Sequence, residues 1–113
     1  MPILIGYASV KLEKICLDAR AARKSLSEKV GALLPQRLSE LAAFASLAAI
    51  PPGAPLHFHP LSENLTGHFA ISIDKKHRIV FRPAGNFEML TEGMPDLATV
   101  TSVIIAGIGD YHG

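Results

Sequence analysis

The stretch Gly67-His68-Phe69-Ala70-Ile71-Ser72-Ile73-Asp74-Lys75-Lys76-His77-Arg78-Ile79-Val80-Phe81-Arg82-Pro83 decides the fold. Phe69, Ile71 and Ile73 alternate with His68, Ala70 and Ser72, the period of two that sets one face of a strand against a core. Lys75-Lys76 forms a tip, and His77 to Pro83 returns with Ile79 and Phe81 alternating against Arg78, Val80 and Arg82. Two runs so patterned and so closely joined form an antiparallel hairpin.

Outward from the hairpin, Leu56 to Leu61 reads as a further strand, with a turn over Ser62 to Thr66. Residues 84–98 hold Gly85, Asn86, Gly93 and Pro95 and read as a loop. Val100 to Ile108 is β-branched and almost continuously apolar, which predicts a central strand buried on both faces. At the other end, Pro2 to Tyr7 predicts a first strand. Ser9 is placed to cap a helix with Leu12, Ile15, Cys16, Ala19 and Ala22 on one stripe and Lys11, Lys14, Arg20 and Arg23 outside it. A second helix opens near Ser27 and carries Val30, Leu33, Leu34, Leu38, Leu41, Phe44 and Leu47. Pro35 predicts a kink or break in it, with the firm part running from Pro35 to about Leu47. Pro51-Pro52-Gly53-Ala54-Pro55 ends all helix. The order β-α-α-β-β-β-β predicts an α+β fold, with an N-terminal strand and two helices packed on a mainly antiparallel curved sheet, and residues 1–113 as one domain.

The chain of 113 residues leaves no room for a second catalytic domain. With 49% hydrophobic and 19% charged residues it is too apolar for a disordered tail. Cys16 stands alone, so no internal disulfide or thiolate zinc site is available and a reducing compartment, the cytoplasm, is expected. No run approaches the roughly 20 apolar residues that span a bilayer. The net charge of +1 conceals alternating blocks: +4 over residues 9–37, −2 over 38–73, +3 over 74–82 and −4 over 83–113. Local fields rather than the total decide whether a polyanion docks.

Several short runs, in this order, carry a resemblance. They are Lys11-Leu12-Glu13-Lys14, Gln36-Arg37-Leu38-Ser39-Glu40-Leu41, His59 before Leu61, Thr66-Gly67-His68-Phe69-Ala70-Ile71, His77-Arg78-Ile79-Val80-Phe81 and the terminal Asp110-Tyr111-His112. Together the chain resembles the RelE/ParE superfamily of toxins, and more narrowly the HigB-like branch labelled killer or killer-suppression proteins. The resemblance covers most of the chain. It implies a RelE-like domain that enters the ribosome and cuts mRNA, restrained by a cognate helix-turn-helix antitoxin, with no membrane partner and no cofactor.

Cutting RNA through its own 2′-hydroxyl requires a base for that proton, a cation for the phosphorane and an acid for the departing 5′-oxygen; no metal is obligatory. His112 titrates near neutrality and suits acid or base. Arg78 offers a planar fork to phosphate. Tyr111 is suited to stack on a base or orient the 2′-hydroxyl, Asp110 to orient His112, and His59 to sit beside the reacting groups. Lys75, Lys76 and Arg82 are suited to hold RNA backbone by charge.

Other readings of the same residues stand beside these. His112 is penultimate and suits a frayed tail; Arg78 and Arg82 suit ion pairs with Glu88, Glu92 or Asp96; and His57 and His59, two apart on a strand, suit zinc together with His68, His77 or His112. A ParE-like gyrase poison and a non-catalytic toxin-binding suppressor are the alternative functions. The Lys-Lys tip, Pro35 and the acidic 84–98 insert depart from the family's habit, and that insert is placed either to cover the basic strand or to fold away from it.

Overall fold

A computed structural model describes residues 2–91 and 94–110, apart from the side chain of Thr91. The elements run β1 (Leu4–Tyr7), α1 (Val10–Leu17), α2 (Ala19–Ser25), α3 (Glu28–Ala43), β2 (His59–Pro60), β3 (Phe69–Ser72), β4 (Arg78–Pro83), β5 (Met89–Thr91), β6 (Met94–Pro95) and β7 (Ser102–Gly109), with short 3₁₀ turns between them. One sheet has the order β1-β7-β4-β3-β2 and is antiparallel except where β1 lies parallel to β7. The α+β arrangement expected from the sequence is present, with three helices rather than two.

The central hairpin pairs Phe69 with Phe81, Ala70 with Val80, Ile71 with Ile79 and Ser72 with Arg78. Phe69, Phe81 and Phe58 stack with ring centroids 5.4–6.3 Å apart, and they join Ile71, Ile73 and Ile79 in the core. Val30, Leu34, Leu38 and Leu41 of α3 supply its other wall.

Four sequence expectations are corrected. The first helix breaks at Asp18, whose extended backbone ends α1. Its Oδ1 accepts the N–H of Arg20 at 3.0 Å and of Ala21 at 3.4 Å, starting α2. An Asp competes for helix starts because its carboxylate satisfies the free N–H groups of a first turn. The second helix, conversely, runs through Pro35 and stops at Ala43, with Leu47 in a 3₁₀ turn. A proline inside a helix costs about 3 kcal/mol, whereas each buried Leu on α3 contributes about 1.5–3 kcal/mol.

The third correction concerns β7, which alternates instead of being buried on both faces: Val103, Ile105 and Gly107 are buried and their neighbours partly exposed. Its register against β4 slips between Val80↔Gly107 and Phe81↔Ile105, so Ala106 is an extra residue. The bulge lets Ile105 and Ile108, three apart, face the same core as their partners Phe81 and Ile79. An apolar run with both parities therefore marks a bulged strand here. The fourth is the 84–98 segment, which is more than loop: β5 and β6 pair as a small hairpin, and Leu97–Thr99 forms a 3₁₀ turn capped by Asp96.

Cys16 lies in the core, where burial pushes its thiol up to about 11, so it is a protonated packing group at neutral pH. No helix among the described residues is long and apolar enough to cross a membrane.

Candidate functional site

A cleft of about 550 Å³ opens where the β3–β4 turn meets the segment before β2 and the middle of α3. Three cations line it: Arg78 from the start of β4, Lys75 from the turn and Arg37 from α3. His57, His59 and Asp74 complete its polar lining, and Ser72, Ile73 and Pro55 its walls.

His59 has a defined ring state. Its Nδ1 lies 2.8 Å from the main-chain carbonyl of His57. A carbonyl only accepts, so Nδ1 carries the proton and the neutral ring keeps its lone pair on Nε2. His57 holds φ at 49°, a left-handed conformation uncommon outside glycine. That conformation interrupts the strand expected over Leu56 to Leu61, which shrinks to the two residues of β2, an edge strand where Pro60 is tolerated. The two histidines thus do not share a strand face. Among the described residues no three His, Cys, Asp or Glu side chains gather as a metal site.

Asp74 organises the turn. Its Oδ1 accepts the main-chain N–H of Lys76 at 2.9 Å and of His77 at 2.7 Å, and lies 3.0 Å from Nδ1 of His77. Burial works to raise its pKa, but the hydrogen bonds from His77 and Lys76 outweigh that and bring it down to about 2. The carboxylate is therefore ionised and tied to its own turn. His77 sits across from Ile73, whose N–H reaches the His77 carbonyl at 2.8 Å, and it does not line the cleft.

Arg37 was missed as a site residue, being read as one charge of a basic block and as part of the run Gln36 to Leu41 that carries the resemblance. Its Nη1 donates to Oε1 of Glu40 at 2.8 Å, its side chain is only 13% exposed, and its Nε is buried with no partner among the described residues. The signal was present. Arg37 falls on the apolar stripe of α3, seven residues after Val30 and four before Leu41, where a charge has no reason to sit unless its head group serves the surface beyond.

The remaining candidates divide. Lys76 is on the same turn but does not line the cleft, and Arg82, exposed at the far end of β4, lines a separate groove. Asp110 is exposed and follows Gly109, the register partner of Arg78, so the chain's last described residue lies at the cleft end of the sheet. Tyr111 and His112 lie outside the described residues, as does Glu92. No described residue of 84–98 lines the cleft, so the described part of this segment leaves the Arg78 end uncovered. Arg82 makes no ion pair with Glu88 or Asp96.

Three helices over a five-stranded mixed sheet, with a cationic cleft at the end of its central hairpin, have the RelE-like toxin fold. The chain is similar in structure to the YoeB–YefM complex from Staphylococcus aureus, with a TM-score of 0.55, 16% identity and 100% of both chains covered. It is also similar to the YoeB/ParE toxin from Agrobacterium tumefaciens, with a TM-score of 0.41, 17% identity, and 99% of this chain and 100% of the other covered. No family model and no curated protein matches the sequence.

Proposed function

We propose that the chain is the toxin of a type II toxin–antitoxin pair, of the HigB-like branch, and that it cuts mRNA on the ribosome without a metal. The observation that carries this reading is one cleft that holds three cations and a histidine whose Nδ1 is taken up by a main-chain carbonyl. His59 Nε2 takes the proton of the 2′-hydroxyl. The 2′-oxygen attacks the neighbouring phosphorus, and Arg78, Arg37 and Lys75 hold the charge that gathers on the phosphorane. The bond to the 5′-oxygen breaks and leaves a 2′,3′-cyclic phosphate. His112, oriented by Asp110, gives the departing oxygen its proton, and Tyr111 orients the sugar. Lys76 and Arg82 hold flanking backbone, and a helix-turn-helix antitoxin restrains the toxin in the cytoplasm.

Induced expression tests this reading, with growth followed alongside primer extension on cellular transcripts. Growth arrest with new transcript ends, both abolished in His59→Ala and in His112→Ala, is the expected result. DNA-damage signalling with intact mRNA would replace this function with gyrase poisoning. Toxin binding without arrest, equal in wild type and both variants, would replace it with suppression.

A further inference from the structure

A second groove, of about 330 Å³, lies at the opposite end of β4 from the cleft. We infer that it is a nucleotide subsite, taking one unstacked base of single-stranded RNA with the adjoining phosphate on Arg82; the inference rests on RNA being the substrate proposed above.

The hairpin register connects the two sites. Ser72 pairs with Arg78 at the cleft and Phe69 with Phe81, so the next positions along that ladder are His68 and Arg82. Within β4, Arg78, Val80 and Arg82 share a face, opposite Ile79 and Phe81, and the bulge in β7 leaves this alternation intact. One face of the sheet thus runs from Arg78 to Arg82 over roughly 13 Å. A stacked strand advances about 3.4 Å per nucleotide, so the groove reads a base at most about four nucleotides from the bond that breaks.

The lining selects the ligand's chemistry. Among the described residues that line it, Arg82 is the only Lys, Arg, Asp or Glu; it is exposed and makes no ion pair among the described residues. The apolar lining includes the half-buried Phe87 ring, Pro83, Pro95 and the polarisable thioether of Met89. His68 also lines the groove; its Nδ1 is buried, with no partner among the described residues. Of the described acids of the insert, Asp96 caps the N–H of Ala98 at 3.2 Å, and neither Asp96 nor Glu88 lines the groove. A largely apolar groove with a guanidinium in its lining that makes no ion pair among the described residues matches a nucleobase and its phosphate. A basic partner segment would be repelled, and a purely apolar one would leave Arg82 unused.

The test uses the full chain and fluorescent 2′-O-methyl oligoribonucleotides, which lack the nucleophile and survive binding, with affinity read by anisotropy. Phe87→Ala and the exposed Arg82→Gln are each expected to weaken a hexamer about fivefold or more while leaving a dinucleotide unchanged. One abasic position in the hexamer should reproduce the Phe87→Ala loss, and should cost nothing further in that variant. The subsite is overturned if both variants bind the hexamer as wild type does, or if they lose affinity for a protein antitoxin and none for RNA. Transcript cleavage with unchanged base preference in both variants overturns the subsite and leaves the cleavage reading standing. Groove-dependent hexamer binding by a wild-type chain that cuts no transcript does the reverse.

Discussion

His59 donates its Nδ1 proton to the main-chain carbonyl of His57 across 2.8 Å, and the left-handed backbone of His57 is what aims that carbonyl back at the ring. The contact spends one ring nitrogen on the chain itself, and in the proposed reaction the other takes the proton of the 2′-hydroxyl. A positioned general base is worth about 10²–10⁴-fold in rate. His59→Ala is therefore expected to lower ribosome-supported RNA cleavage by a factor in that range. Because the side chain is partly exposed, urea unfolding should shift by less than about 1 kcal/mol. Cleavage at the wild-type rate in a folded His59→Ala chain would remove His59 from the chemistry.

Arg37 tests whether the cleft needs a planar fork or only a positive charge. Glu40 holds Nη1 of its guanidinium and the residue lines the cleft, so one arm of the head group is fixed in advance. Hydrogen bonds to charged groups are worth about 1.5–3 kcal/mol, which is roughly tenfold to a hundredfold in rate if they form only in the transition state. Arg37→Ala should lose that much of kcat. Arg37→Lys keeps charge without the fork and should recover only part of it. Full recovery by lysine would show that the cleft uses Arg37 as a point charge.

The hairpin was legible because Phe69, Ile71, Ile79 and Phe81 recur at alternate positions and its tip is polar; those four are buried, but so are Ala70 and Val80 of the opposite parity, so the centre of the hairpin is covered on both faces. What escaped the sequence has local causes. The break at Asp18 depends on a side chain choosing its own backbone, and the passage of α3 through Pro35 depends on burial supplied by the sheet. The bulge at Ala106 made an alternating strand look uniformly apolar. In the site, Arg78, Lys75 and His59 were legible by residue type; Arg37 was marked only by its place on the apolar stripe of α3, and Asp74 comes to the cleft through the folding of a turn, which has no linear signature.

Asp74 gives the fold a dependence on acid. Its pKa is lowered from 3.8 to about 2 in the folded chain, so the unfolded chain binds the proton more readily. The carboxylate's contribution is complete above about pH 4 and disappears as pH falls through about 2. With solvent screening of this partly exposed turn, the expected loss is about 1 kcal/mol. Asp74→Asn keeps an acceptor for Lys76 and His77 but cannot titrate. The difference in unfolding free energy between wild type and this variant should therefore shrink between pH 5 and pH 2, and a constant difference would mean that Asp74 is not held ionised by its turn.

Gly31 holds α3 against α2 at a distance that no other residue permits. A β-carbon there would stand 2.7 Å from the main-chain N of Arg23, 2.8 Å from its Cα and 2.9 Å from the carbonyl carbon of Ala22, all backbone atoms that cannot rotate aside. Two effects of Gly31→Ala oppose each other. The helix gains about 1 kcal/mol of propensity, while overpacking against a rigid neighbour costs about 1–3 kcal/mol. Contacts under 3 Å to backbone decide for the second, because relief requires moving α2 as a whole. The expected result is a lower urea midpoint with an unchanged slope, and reduced cleavage as well, since Arg37 rides on the same helix six residues further on. A raised midpoint would mean that propensity wins and that the two helices are free to separate.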